Sequence, residues 1–193
     1  MSLSIRQTNS PTFVSAAEYL RQEREAAFKH EYFDGEVRAA GGASYAHNLI
    51  FANLGAAIGR HLRGSANRVV CSTQRLYVAG ANIFCYTDLT VVRGTPEFLD
   101  DQTQENLLNP VLLVQIVTPT AQGWGSRFSL YRHLPGLQQF VLLHSPQPYA
   151  EWYWRDEQGR WLFTDTNAQP GILDLSSIDC QLTLAEAYAG VTF

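Results

Sequence analysis

The stretch from residue 109 to 120, NPVLLVQIVTPT, constrains this chain more than any other. Residues 110–117 form an apolar run rich in β-branched side chains, interrupted once, by Gln115. A short run that is apolar on both of its alternating faces fits a strand covered on both sides, as in a mixed or parallel sheet. An amide inside such a strand needs hydrogen-bond partners or access to a cleft, because an unsatisfied buried polar group costs roughly 1–3 kcal/mol. The strand breaks at Thr118-Pro119-Thr120, and a glycine-rich turn, Gly123-Trp124-Gly125, leads into a helix with Arg127 near its start. A polar side chain in a buried strand, facing a cation one short loop away, marks a candidate active-site edge.

The rest of the chain must supply the layers that cover this strand. Its 193 residues suffice for one domain with a sizeable core, read as 13–190 after a loose tail over 1–12. With 46% hydrophobic and 17% charged residues, global disorder is excluded. A formal net charge of −4 gives no overall attraction to nucleic acid, so any DNA binding needs a local basic patch. The cysteines, Cys71, Cys85 and Cys180, are odd in number and lack CxxC spacing. That argues against a disulfide framework or thiolate metal site and suits a reducing cytoplasm. The polar N-terminus has no signal-peptide core. No apolar run approaches the ~18–20 residues of a membrane span. A soluble cytoplasmic protein is the expectation.

Local signals place the elements. Ser15 and Glu18 form a capping-box pattern for a helix over 16–27, whose weakly apolar face suggests a surface position. Asp34-Gly35 predicts a hairpin between two short strands. Ser44 caps a helix over 45–62, where Ile50, Leu54, Ile58 and Leu62 recur every fourth residue before Gly64, an apolar stripe. Strands are expected at 68–72, 75–78 and 86–92, then a surface loop over 94–108 containing Asp100-Asp101. After the strand at 111–117 come a helix over 126–134 and a strand at 140–144. A meander follows (149–155, 161–164, 172–175), then a last helical turn within 182–188.

This order puts Asp88 and Gln115 in adjacent buried strands. The segments HEYFDGEVRAAGGASYAHN, YTDLTVVRG, NPVLLVQIVTPT and FSLYRHLPGLQQFVLL resemble a bacterial restriction-endonuclease family, a domain of unknown function in the PD-(D/E)XK nuclease superfamily. The resemblance runs from about residue 15 to 188. It implies an α/β fold: a restriction-endonuclease-like mixed sheet flanked by helices, with an added antiparallel β meander. It also implies Mg²⁺ held by carboxylate oxygens, which activates water and neutralises phosphodiester charge, beside a cation that stabilises the transition state. The family aspartate falls on Asp88, with Thr87 in the usual proline position. The family glutamate falls on Gln115 and its lysine on Arg127, while the acidic residue before that lysine has no counterpart in Gly123–Phe128. A further family aspartate aligns with Thr73. Glu31, Asp34-Gly35-Glu36 and His47 fit the pattern.

The resemblance thus nominates Asp88, Gln115, Arg127, Glu36 and His47 as catalytic residues, with Asp88 and Gln115 as metal ligands. An amide at 115 keeps a carbonyl ligand but removes a full negative charge, which weakens a Mg²⁺ site. Arg127 keeps a positive charge suited to phosphate, yet its planar fork cannot mimic a compact ammonium. Blander roles stand beside these. Asp88 could be satisfied by backbone N–H groups, Gln115 by structural partners, and His47 by its helix start. Arg127 could be an exposed helix residue, and Glu36 could merely flank its turn. Arg60, Arg63, Arg68 and Arg75 could track a phosphate backbone, or simply decorate a helix end where cations are favoured. Trp152, Trp154 and Trp161 suit a core face or a homodimer surface better than base stacking.

Three functions follow: a Mg²⁺-dependent endonuclease acting on DNA, a non-catalytic descendant that binds nucleic acid or a protein partner, and a self-associating structural protein. Convergence of Asp88, Gln115 and Arg127 on one cleft would separate the first from the others.

Overall fold

Ser15 opens the first helix as its chemistry dictates, its Oγ accepting the Glu18 N–H at 3.2 Å. The computed structural model describes residues 13–99, 102–118, 124–167 and 171–193. Helix α1 spans Ala16–Glu25. Only half of the capping box forms, because the Glu18 carboxylate turns to Arg21 and Gln22. Nor is α1 a free surface helix: Tyr19 is buried and stacks on Tyr32, 5.2 Å between ring centroids, beside Phe84. Strands β1 (His30–Phe33) and β2 (Glu36–Ala39) form the expected hairpin. Asp34 and Gly35 take positive φ, 43° and 106°, as a tight two-residue hairpin turn requires. Helix α2 (Tyr45–His61) starts at the Ser44 cap and buries Ile50, Leu54 and Ile58.

Strands β3 (Asn67–Cys71) and β4 (Arg75–Val78) follow as read. The strand expected over 86–92 is instead two, β5 (Ile83–Tyr86) and β6 (Leu89–Arg93), which belong to different sheets. Thr87 and Asp88 carry the chain across. The Thr87 hydroxyl finds the Thr90 hydroxyl at 2.8 Å, so the crossing leaves it satisfied inside the core. The expected loop over 94–108 contains β7 (Asn106–Leu107), parallel to β4, while Asp100 and Asp101 lie outside the described residues. Strand β8 (Pro110–Val117) matches the sequence reading, and α3 (Trp124–Tyr131) begins inside the anticipated turn. Strands β9 (Gln139–His144), β10 (Tyr149–Arg155) and β11 (Trp161–Asp165) run as an antiparallel meander, but β12 (Ile172–Leu175), expected to continue it, leaves that sheet. The last segment is a strand, β13 (Cys180–Thr183), before the short α4 (Leu184–Ala187) with its Thr183–Glu186 capping box.

The strands form a six-stranded sheet, β11-β10-β9-β8-β6-β3, a five-stranded sheet, β2-β1-β5-β4-β7, and the pair β12-β13. Strand β8 is internal, antiparallel to β6 and parallel to β9, with α3 in the β8–β9 crossover. Every β8 residue is buried. Leu112, Val114 and Ile116 pack with Ile50, Leu54 and Ile58 of α2 and with Leu173 and Leu182 from the β12-β13 pair. Leu113 and Val117 pack toward Leu76 and Cys85 of the five-stranded sheet and toward Tyr131 and Phe140. Burial of each such side chain stabilises the fold by about 1.5–3 kcal/mol. Gln115 shares the alternation of Leu113 and Val117 and therefore looks toward the second sheet.

The tryptophans do not form one surface. Trp152 is a core residue at 2% exposure, whereas Trp161 meets Phe128 edge-on under the Arg155 guanidinium. Among the described residues, no helix is long and apolar enough to cross a membrane.

Candidate functional site

Where the two large sheets meet lies a cleft of about 250 Å³, lined by Asp88, Gln115, Arg127, His47, Glu31 and Lys29 among others. Four of the five residues nominated as catalytic therefore converge. Glu36 does not. It sits on β2, the edge strand, where Arg38 holds its exposed carboxylate at 2.8 Å. The acid that reaches the cleft is Glu31, on the neighbouring strand, which is paired on both sides by β2 and β5.

Asp88 occupies the crossing between sheets. The β6–β8 ladder ends at Leu89 opposite Val114, and one residue earlier the Asp88 side chain takes over. Its Oδ2 accepts the Ile116 N–H at 2.7 Å, satisfying a backbone donor that would otherwise be orphaned. Its Oδ1 lies 2.8 Å from His47 Nε2. His47 is placed by the first turn of α2, its own N–H bonded to Ser44 Oγ at 3.1 Å. Both side chains are largely enclosed, 16% exposed for His47 and 13% for Asp88.

Gln115 is 8% exposed, and its Oε1 has no hydrogen-bond partner among the described residues. A second buried glutamine, Gln139 on the adjacent strand β9, shows the contrast. It donates to the Asp174 carbonyl at 2.6 Å and accepts from the Ser177 N–H at 3.2 Å. The Gln139 amide is structural, whereas Gln115 lines the cleft with an enclosed Oε1 that has no partner among the described residues.

Arg127 reaches the cleft from α3, but Glu31 grips its fork: Nη1 to Oε1 is 2.9 Å and Nη2 to Oε2 is 2.6 Å. Nη1 also donates to the Tyr131 hydroxyl at 3.2 Å. Burial alone would lower the Arg127 pKa, but Tyr131 and Glu31 outweigh it and raise it above the ordinary arginine value. Burial also pushes the neighbouring Cys85 thiol up to about 12, which keeps it inert as a nucleophile.

With both Glu31 oxygens bonded to Arg127, the cation-donor set is hard but sparsely charged: one carboxylate, Asp88, and one amide oxygen, Gln115 Oε1. Among the described residues no three His, Cys, Asp or Glu side chains form a metal-binding group. Mg²⁺ is commonly held by one or two carboxylates together with substrate phosphates. The residues present therefore fit a weak divalent site that substrate would complete.

Sequence reasoning passed over Lys29 at the rim and chose Glu36 instead of Glu31. The available signal was the Asp-Gly register, which pairs Glu31 with Arg38 and Phe33 with Glu36, but strand order was needed to use it. Thr73 lies in the exposed turn after β3 and does not line this cleft. The four-arginine cluster is not assembled. Arg75 is buried and bonded to Asn106, Glu105 and Tyr86. Arg60, Arg63 and Arg68 stay exposed, and Arg63 and Arg68 line a separate shallow groove. Pro119, Thr120 and Gly123 lie outside the described residues.

A family model described as "Uma2: Putative restriction endonuclease" matches residues 16–186. Two uncharacterized Synechocystis proteins are similar along almost their whole length. Protein slr1290 is 29% identical over 93% of this chain and 94% of its own length. Protein sll1609 is 28% identical over 84% of this chain and 93% of its own length. A crystal structure from Anabaena variabilis, described as a "putative nuclease belonging to DUF820", superposes with a TM-score of 0.71 at 13% identity. That match covers 93% of this chain and 99% of the other.

Proposed function

We propose, from the premise that this chain belongs to the Uma2 restriction-endonuclease family, that its cleft hydrolyses DNA phosphodiesters with Mg²⁺ as cofactor. The observation that carries this reading is that Asp88 lines one polar cleft with Gln115, whose Oε1 has no partner among the described residues. Those two oxygen donors would hold the cation. The chemistry a bound Mg²⁺ supplies is activation of water and neutralisation of phosphodiester charge. His47 fixes the Asp88 carboxylate from one side while the Ile116 N–H fixes it from the other, so the ligand is oriented before any cation arrives. Its imidazole, 2.8 Å from Asp88, can also take up or return a proton near the reacting phosphate. Arg127, spent on Glu31, holds the wall of the cleft.

The same donor set sets the expected rate. With one negative charge instead of two, cation affinity is weak and hydrolysis slow. This favours, as a second reading, a descendant that retains nucleic-acid or protein binding without turnover.

Titration calorimetry with Mg²⁺ and Mn²⁺, beside an Asp88→Ala control, decides between them. Millimolar or tighter binding that vanishes in the control, followed by cleavage of DNA, supports the enzyme. Absence of binding in both proteins supports the binding module.

A further inference from the structure

We infer that Lys29, rather than Arg127, is the cleft residue that contacts the phosphate of bound DNA. The inference rests on the nuclease reading above and names a residue which that reading does not use.

Charge in the cleft points to it. Arg127 and Glu31 neutralise each other through two hydrogen bonds. Asp88 contributes a negative charge, so apart from any bound divalent cation these three side chains offer an incoming phosphate no net positive charge. Lys29 lines the same cleft and is exposed. Its ammonium donates to the Ser72 carbonyl at 2.9 Å and lies 5.2 Å from the centroid of the Tyr86 ring. An ammonium has three protons, and the Ser72 bond uses one of them. The head group is therefore held at the cleft mouth with donors to spare.

Its support is itself rigid. The Tyr86 hydroxyl donates to Glu23 at 3.0 Å and accepts from Arg75 at 3.4 Å. Its backbone N–H binds Glu31 at 3.2 Å. Burial lifts the Tyr86 phenol to about 12, so no phenolate competes for the lysine at neutral pH. Gly41 and Gly42 line the same cleft, and a Cβ added to either would meet nothing within 4 Å, which leaves room for a sugar–phosphate backbone. A lysine here supplies the compact ammonium that the Arg127 fork cannot.

The test is fluorescence anisotropy with fluorescein-labelled duplex and single-stranded DNA over a salt series, using wild type, Lys29→Met and Lys29→Arg. Lys29 is exposed, so its substitution should leave the thermal midpoint unchanged. Lys29→Met should weaken DNA binding about tenfold at low salt, as for one lost charge-assisted hydrogen bond. The slope of log affinity against log salt should fall by about one, and Lys29→Arg should restore most of both. Unchanged affinity and slope in Lys29→Met would overturn the assignment while leaving the nuclease reading intact. Failure of the wild type to bind either DNA would overturn both.

Discussion

Glu31 and Arg127 lie ninety-six positions apart in sequence and meet along both edges of the guanidinium, at 2.9 and 2.6 Å. The pair ties α3 to β1 and so fixes one wall of the cleft. With 9% and 23% of their side chains exposed, both partners are largely withdrawn from water.

Removing one partner of this pair should cost more than removing both. Arg127→Ala leaves the largely enclosed Glu31 carboxylate in the cleft wall without its cation and should destabilise the fold by about 3 kcal/mol. The double variant Arg127→Met with Glu31→Gln should lose markedly less than the sum of the single variants. Arg127→Lys keeps the charge but not the paired bonds and should fall between wild type and Arg127→Ala. Urea unfolding at neutral pH measures all of these.

The two buried glutamines should respond unequally to the same change. Gln139→Leu strands the Asp174 carbonyl and the Ser177 N–H and should cost about 2 kcal/mol. Gln115→Leu removes a carbonyl without a partner and should shift stability by less than about 0.5 kcal/mol. Equal losses in the two variants would assign Gln115 a structural role.

Restoring a carboxylate tests the cation site directly. Gln115→Glu should raise Mn²⁺ and Mg²⁺ affinity by at least about tenfold, since a second charge joins Asp88. It should also lower stability in the absence of cations, because two carboxylates then repel across the cleft. Calorimetry reads the first effect and thermal unfolding with and without Mn²⁺ the second.

Acid sensitivity should trace in part to His144. Burial lowers its pKa from 6.5, and its Nε2 has no hydrogen-bond partner among the described residues. A histidine depressed in the folded state binds its proton more readily when unfolded. Its contribution to stability is therefore complete above about pH 6.5 and is lost as the pH falls from there through the lower folded value. Replacing it by Leu should flatten that part of the curve of thermal midpoint against pH.

Several parts of the site were legible because their signals are local. The Ser44 cap places His47 on the first turn of α2, and the Asp34-Gly35 turn sets the β1–β2 register. The mostly apolar run at 110–117 is buried on both faces as its composition demands. The joint between β5 and β6 was not legible. Tyr86–Val92 reads as one strand because each residue but Asp88 suits a sheet, and nothing local announces that the chain changes sheets at Thr87-Asp88.

What the sequence by itself determined is therefore periodicity, turn chemistry and family: a strand with two apolar faces, an apolar helix stripe, a hairpin, and the resemblance carried by Asp88, Gln115 and their neighbours. The tertiary structure alone decided which charges share the cleft. Glu31 and Glu36 lie on paired strands of one hairpin, and only the docking of β1 against β5 makes the first internal and leaves the second at an edge. Arg127 reads as a free cation until α3 docks on Phe140 and Tyr153 and Glu31 takes its fork. Lys29 gains its place only when Ser72 and Tyr86, more than forty positions away, come beneath it. Strand order and helix docking arise from the summed burial of distant apolar faces, which the local pattern does not encode.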